Sequence, residues 1–165
     1  MKTLPIINLV AIIHLVFLSL WGGVVATEAV LELYPYRRRE LHSHSIRYHF
    51  WIDLLVELPL ILGVIASGLT LVILAWPLST LHLLKISAAA VAVSANLICV
   101  LIVFRRRKSL EQGAEDKKLW GLTRRIVLCA VIGLPFAGMA GCLGFYLAYQ
   151  RLLKLCYELA ISLVF

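Results

Sequence analysis

Four apolar runs, at about residues 4–27, 50–76, 79–104 and 123–148, each reach the roughly 20 residues that carry a helix across a bilayer. Between them lie two stretches, 28–48 and 104–125, that together hold twelve of the chain's sixteen Lys and Arg residues. Long apolar spans alternating with short basic loops predict an all-α, integral membrane four-helix bundle. No loop is long enough to build a separate soluble core, so residues 1–165 read as a single membrane domain.

Short loops rich in Lys and Arg stay on the cytoplasmic side. Arg37, Arg38, Arg39 and Arg47 fall in the first basic loop; Arg105, Arg106, Arg107, Lys108, Lys117, Lys118, Arg124 and Arg125 fall in the third. The opposite side carries only Lys2, Arg151 and Lys154. Both termini are therefore expected outside, and a bacterial inner membrane is the expected location. Cleavage of the first span near Ala26 would place both basic loops outside, so that span is read as retained. The net charge of +7 has this topological reading; no basic residues interleave with aromatics in a soluble domain, which argues against nucleic acid as a partner. After Tyr149, Arg151, Lys154 and Glu158 share one face against Leu, Ile, Val and Phe, predicting a short C-terminal interfacial helix. Gly133, Ala137 and Gly141 form a small-residue strip on the fourth span, and Pro135 can kink it. The expected partners are the lipid bilayer and either other membrane subunits or further copies of the chain.

An ionisable group within hydrocarbon costs about 2.5–3.5 kcal/mol even on the mild insertion scale, so each one calls for a reason. On the first helix His14, Trp21 and Glu28 recur every seven residues and share a face, with Gly22 and Gly23 beside the Trp. On the third span His82, Lys85 and Asn96 line up among small residues from Ser87 to Ala95 that leave room beside them. Two such groups facing each other across the outer half of the bundle could serve as axial ligands or acid–base partners to a flat molecule of porphyrin size. Snorkelling of His82 and Lys85 to the interface, and a hydrogen bond from His14 to a neighbouring helix, are the simpler readings.

The segment from His14 through Trp21-Gly22-Gly23, and the segment Leu81-His82-Leu83-Leu84-Lys85-Ile86 running into Arg105-Arg106-Arg107, resemble the first and third helices of the HemJ-type protoporphyrinogen oxidases and their CopD-type copper-resistance relatives. The resemblance implies a small helical bundle that binds haem b, with His14 and Lys85 both functionally important. If the chain is an enzyme, it implies an oxidoreductase. Two residues separate His82 from Lys85 where the family has one, and Asn96 stands where the family has a second histidine.

A second constellation owes nothing to that resemblance. His49, Asp53 and Glu57 stand at i, i+4 and i+8, His42 and His44 precede them, and Glu28 and Glu32 lie one turn apart at the end of the first helix. Imidazoles mixed with carboxylates suit zinc, iron, manganese or copper, although the spacing matches no standard metal signature. The plainer expectation is an interfacial cluster in which the acids pair with Arg37 to Arg39 and Arg47. Glu57 lies deepest, just before Leu58-Pro59, and needs a partner of its own. Cys99, Cys129, Cys142 and Cys156 are scattered, with no Cys-x-x-Cys pair, and read as packing residues. Three functions remain open: a haem-b protein with an electron-transfer or oxidase role, a cofactor-free structural or assembly subunit of a larger membrane complex, and a metal-ion carrier or metal-binding membrane protein.

Overall fold

Apolar sequence that must bury its own backbone hydrogen bonds has little choice but helix, and helix is what forms. A computed structural model of the chain describes residues 3–36 and 38–164. The helices are α1 (Thr3–Leu33), α2 (His42–Ile52), α3 (Leu58–Leu74), α4 (Thr80–Glu111) and α5 (Asp116–Val164). A single π-helical turn, Asp53–Glu57, fuses α2 to α3, giving four membrane-length helices among the described residues. The protein is an all-α four-helix membrane bundle.

The helices outrun the apolar stretches that define them. α1 reaches Leu33, α2 starts at His42, α4 continues to Glu111 and α5 starts at Asp116. The two basic loops expected over 28–48 and 104–125 thus shrink to residues 34–41 and 112–115, and most of their charges ride on helix ends. α4 closes with Gly113 at φ +68°, the Gly113 and Ala114 amides donating to the Leu110 and Ser109 carbonyls. That Schellman geometry requires the left-handed backbone glycine adopts most readily. α5 runs through Pro135 and continues without a break to Val164, so the C-terminal segment extends the fourth span instead of forming a separate interfacial helix. The faces of Arg151, Lys154 and Glu158 lie outside the described side chains.

Exposure is inverted relative to a water-soluble protein. Leu15, Leu62 and Ile73 are 60%, 65% and 75% exposed, whereas Asp53 and Arg106 are fully buried. Apolar groups facing outward and charges facing inward is the arrangement that a hydrocarbon solvent selects. Inside, α1 packs on α3 around Trp21, Ile61 and Val64, and α4 and α5 form the most extensive helix pair. Small residues set both interfaces. On α5 the inward strip is Gly133, Ala137, Ala140 and Gly144; a Cβ on Gly133 would sit 3.3 Å from that of Ala95, and one on Gly144 would meet the Lys85 stem at 3.2 Å. Gly141, expected in that strip, faces open space.

Between α1 and α3 the close approach is at Gly63, where an added Cβ would lie 2.6 Å from the Phe17 ring. Gly63→Val is expected to destabilise the bundle by about 1–3 kcal/mol through overpacking. Gly22→Ala, at a site with nothing within 4 Å, is expected to cost nothing. Unfolding of both variants in detergent, followed by circular dichroism, checks the contrast.

Candidate functional site

Eight polar side chains gather where α1 meets α2 and α4 meets α5. Glu28 and Glu32 come from α1, His42 and His49 from α2, Asp53 and Glu57 from the π turn, Arg106 from α4 and Thr123 from α5; all are buried. The short connections 34–41 and 112–115 join these same helix pairs, so both loops lie at this end.

Local geometry explains how three ligand-type residues of one helix come to point the same way. At about 100° per residue, each i+4 step of an α-helix overshoots a straight line by about 40°. The π turn bonds i to i+5, seen in the Leu58 amide donating to the Asp53 carbonyl, and winds less per residue, which offsets the overshoot between Asp53 and Glu57. Pro59 gives a reason for the turn. It has no N–H for the Leu55 carbonyl and its ring crowds that carbonyl, so the helix widens just before it.

At the centre, Arg106 grips Glu32 with both arms of its guanidinium. Nη1 donates to Oε2 at 2.7 Å and Nη2 donates to Oε1. Nη1 also donates to the Thr123 hydroxyl at 2.9 Å, leaving that hydroxyl's proton for His42 Nε2 at 3.0 Å. The His42 ring stacks on Trp120, centroids 4.2 Å apart. Glu32 Oε1 has a second partner, His49 Nδ1. A carboxylate only accepts, so Nδ1 carries the hydrogen, and the other ring nitrogen turns the opposite way. His49 Nε2 lies 3.2 Å from Asp53 Oδ1 and 3.9 Å from Glu28 Oε2. One turn deeper, Glu57 Oε1 accepts from Trp21 Nε1 at 3.2 Å and from Asn96 Nδ2 at 2.7 Å.

The arrangement leaves acceptors without donors. Glu28 Oε1, both carboxylate oxygens of Asp53 and His49 Nε2 are buried and make no hydrogen bond; the 3.2 Å contact to Asp53 has ion-pair distance but not hydrogen-bond alignment. Among the described residues four buried carboxyl groups face one buried guanidinium. Ligand atoms of Glu28, His49 and Asp53 all lie within 4.8 Å of one another. A buried knot of unpartnered carboxylate oxygens around an imidazole nitrogen is a seat for a cation.

Of the metal-type residues singled out in the sequence, Glu28, His49 and Asp53 come together, Glu32 stands behind His49, and Glu57 lies a turn deeper. His42 serves Thr123 and Trp120, and His44 is exposed. Of the arginine partners expected from the first loop, Arg38 and Arg47 are exposed, while Arg37 and the side chain of Arg39 lie outside what the structure describes; among the described residues Arg106 supplies the counter-charge. Of the haem-type residues, His14 Nδ1 donates to Ser67 Oγ at 2.9 Å, with its ring against Gly68. His82 shares a 2.7 Å hydrogen bond with Ser79, Lys85 lies along Gly144, and Trp21 and Asn96 both belong to Glu57.

Sequence reasoning passed over Arg106 and Thr123. A signal for Arg106 was present: Ala88, Ala92, Asn96, Val100, Val103 and Arg106 follow one another at steps of four and three, so the stripe of small and apolar residues on α4 ends on this arginine. Thr123 had none beyond its place near the start of the last span. Compared with protein-family models, curated proteins and solved structures, the chain matches none.

Removing one partner of a buried pair strands the other. Arg106→Met is expected to cost about 3–5 kcal/mol of stability, and adding Glu32→Leu is expected to recover much of that loss. A double-mutant cycle on unfolding in mixed detergent measures both quantities.

Proposed function

We propose that this chain binds a divalent first-row transition-metal ion within the membrane, as a carrier, with Glu28, His49 and Asp53 as its ligands. The observation that carries this reading is Asp53. Its side chain is fully buried, neither of its carboxylate oxygens has a hydrogen-bond partner, and it stands against an imidazole nitrogen and a second carboxylate. Bonds of about 2.0–2.2 Å from nitrogen and oxygen ligands to one tetrahedral ion place neighbouring donors roughly 3.3–3.5 Å apart. The 3.2 Å between His49 Nε2 and Asp53 Oδ1 meets that spacing, and Glu28 Oε2 stands 3.9 Å from the same nitrogen, about half an ångström outside it. Three protein ligands leave a further position for water or a passing ligand. Magnesium and calcium take oxygen ligands; the imidazole turns preference toward zinc, manganese, iron or copper.

The twelve basic residues in and beside the two loops support a cytoplasmic position for this end under the positive-inside rule, with both termini outside. Beyond Glu57, Trp21, Ile61 and Val64 close the bundle with apolar side chains before the next polar pair, His14 and Ser67. That septum is the barrier a carrier opens.

Haem b draws less support. Of the five residues expected around a porphyrin, Trp21 and Asn96 are bonded to the acidic cluster, His82 to Ser79 and His14 to Ser67.

In detergent-purified protein, zinc or manganese is expected to bind at about one equivalent per chain. Asp53→Asn is expected to weaken binding by more than the roughly 10–100-fold typical of an outer-shell loss. Titration calorimetry with elemental analysis checks this, and a preparation that carries haem and binds no metal refutes it. For orientation, Ala114→Cys in a background with the four native cysteines replaced is expected to react with a membrane-impermeant maleimide only after the cytoplasmic face is opened, whereas Ser79→Cys reacts from outside.

A further inference from the structure

All three proposed ligands lie on one side of the bundle: Glu28 on α1, His49 and Asp53 on the fused α2–π segment. Among the described residues no side chain of α4 or α5 bonds to the atoms offered to the ion, His49 Nε2 and the Asp53 carboxylate. The groups that fix the histidine do come from there. Arg106 of α4 holds both oxygens of Glu32, Glu32 holds His49 Nδ1, and Thr123 of α5 holds Arg106 and is itself held to His42. Arg106 Nη2 also lies 3.2 Å from His49 Nδ1, so guanidinium and imidazole converge on one carboxylate oxygen.

We propose that Arg106 is the positioning residue of this metal site: through Glu32 it fixes the tautomer and the rotation of His49, and so aims Nε2 at Glu28 and Asp53. The inference rests on the metal-binding reading and adds to it a residue of the other helix pair that touches no ligand atom of the ion.

The argument is geometric. A carboxylate held by one hydrogen bond rotates about its own bonds; one held by a guanidinium fork is fixed in plane and position. An imidazole whose Nδ1–H points at such a carboxylate can present only its Nε2 lone pair on the opposite side, the arrangement in which an outer carboxylate orients a metal-bound histidine. Arg106 is suited to this task because it is completely buried and its fork cannot swing into solvent. Lysine would keep the charge and lose the plane. Thr123 fixes the arm of Arg106 that faces away from His49, so the aim of the imidazole depends on the docking of α4 and α5 at this end.

The test uses cobalt(II), whose visible ligand-field bands report both occupancy and geometry, titrated into the full-length chain in detergent. The parent is expected to show a band at about one equivalent that zinc displaces and that Asp53→Asn abolishes. Arg106→Lys is expected to bind cobalt about 10–100-fold more weakly and with shifted bands, because the histidine is no longer held in one orientation. Thr123→Val, which keeps the fork and loses its outer support, is expected to fall between the two. Arg105→Lys, at an exposed arginine beside Arg106 on α4, is expected to match the parent. Thr123→Val carries the test if Arg106→Lys does not fold. Folded variants at Arg106 or Thr123 with the parent's affinity and spectrum overturn the positioning role while the site stands. A parent without any cobalt band overturns both.

Discussion

A guanidinium and a carboxylate at the inner end of this bundle meet where neither could stand alone. Burying an isolated ion in a low-dielectric interior costs several kcal/mol even after the surroundings relax, and mutual attraction recovers that only with excellent geometry and every remaining donor satisfied. Arg106 and Glu32 have the geometry, a two-armed fork with Thr123 on one arm and His49 on the shared oxygen, while the guanidinium Nε is buried without an acceptor. The net gain in stability from such a pair is small. What it supplies is definition, since the fork exists in one register of α4 against α1 and in no other. Everything polar at this end is arranged around it.

The remaining interfaces are apolar and close through size. Lipid is as apolar as leucine, so helices in a membrane gain little from burying leucine against leucine and associate through tight packing. Gly63 lets the Phe17 ring onto α3, Gly133 lets α5 onto Ala92 and Ala95, and Gly144 makes room for the Lys85 stem. Small residues thus determine how near the helices come, and the buried fork determines at what height they stop.

Much of this was legible in the sequence and some of it could not be. Helix number followed from the apolar runs, because hydrocarbon thickness sets their length. The seven-residue recurrence of His14, Trp21 and Glu28 marks one face of α1, on which Trp21 and Glu28 are buried and His14 half-buried, and the i, i+4 placing of His49 and Asp53 brings those two together with Glu57 a turn deeper. Helix ends were misjudged because hydropathy falls where charges begin, while the backbone hydrogen bonds continue through charged residues to Leu33 and Glu111. Arg106 was hidden by its neighbours: in Arg105-Arg106-Arg107-Lys108 every residue reads as a topological signal, and only the phase of the α4 stripe separates the buried arginine from the others. The pairing of Trp21 and Asn96 with Glu57 was out of reach, since it depends on how α1 and α4 rotate against α3.

The π turn ties these threads to function. A regular helix passing through Pro59 would leave the Leu55 carbonyl without its partner and would turn Glu57 away from the line of His49 and Asp53. Widening the turn accommodates the proline and keeps three ligand-type side chains in a row that descends from the loop end toward the Trp21–Ile61–Val64 septum. The same turn carries Asp53 and Glu57 and lies just before the apolar closure at Ile61 and Val64. A carrier has to let go of an ion on one side of such a closure and reach it from the other. A segment able to pass between π and α winding rotates Glu57 relative to His49 and Asp53 by tens of degrees without unfolding the helix, which would loosen the row and the septum together.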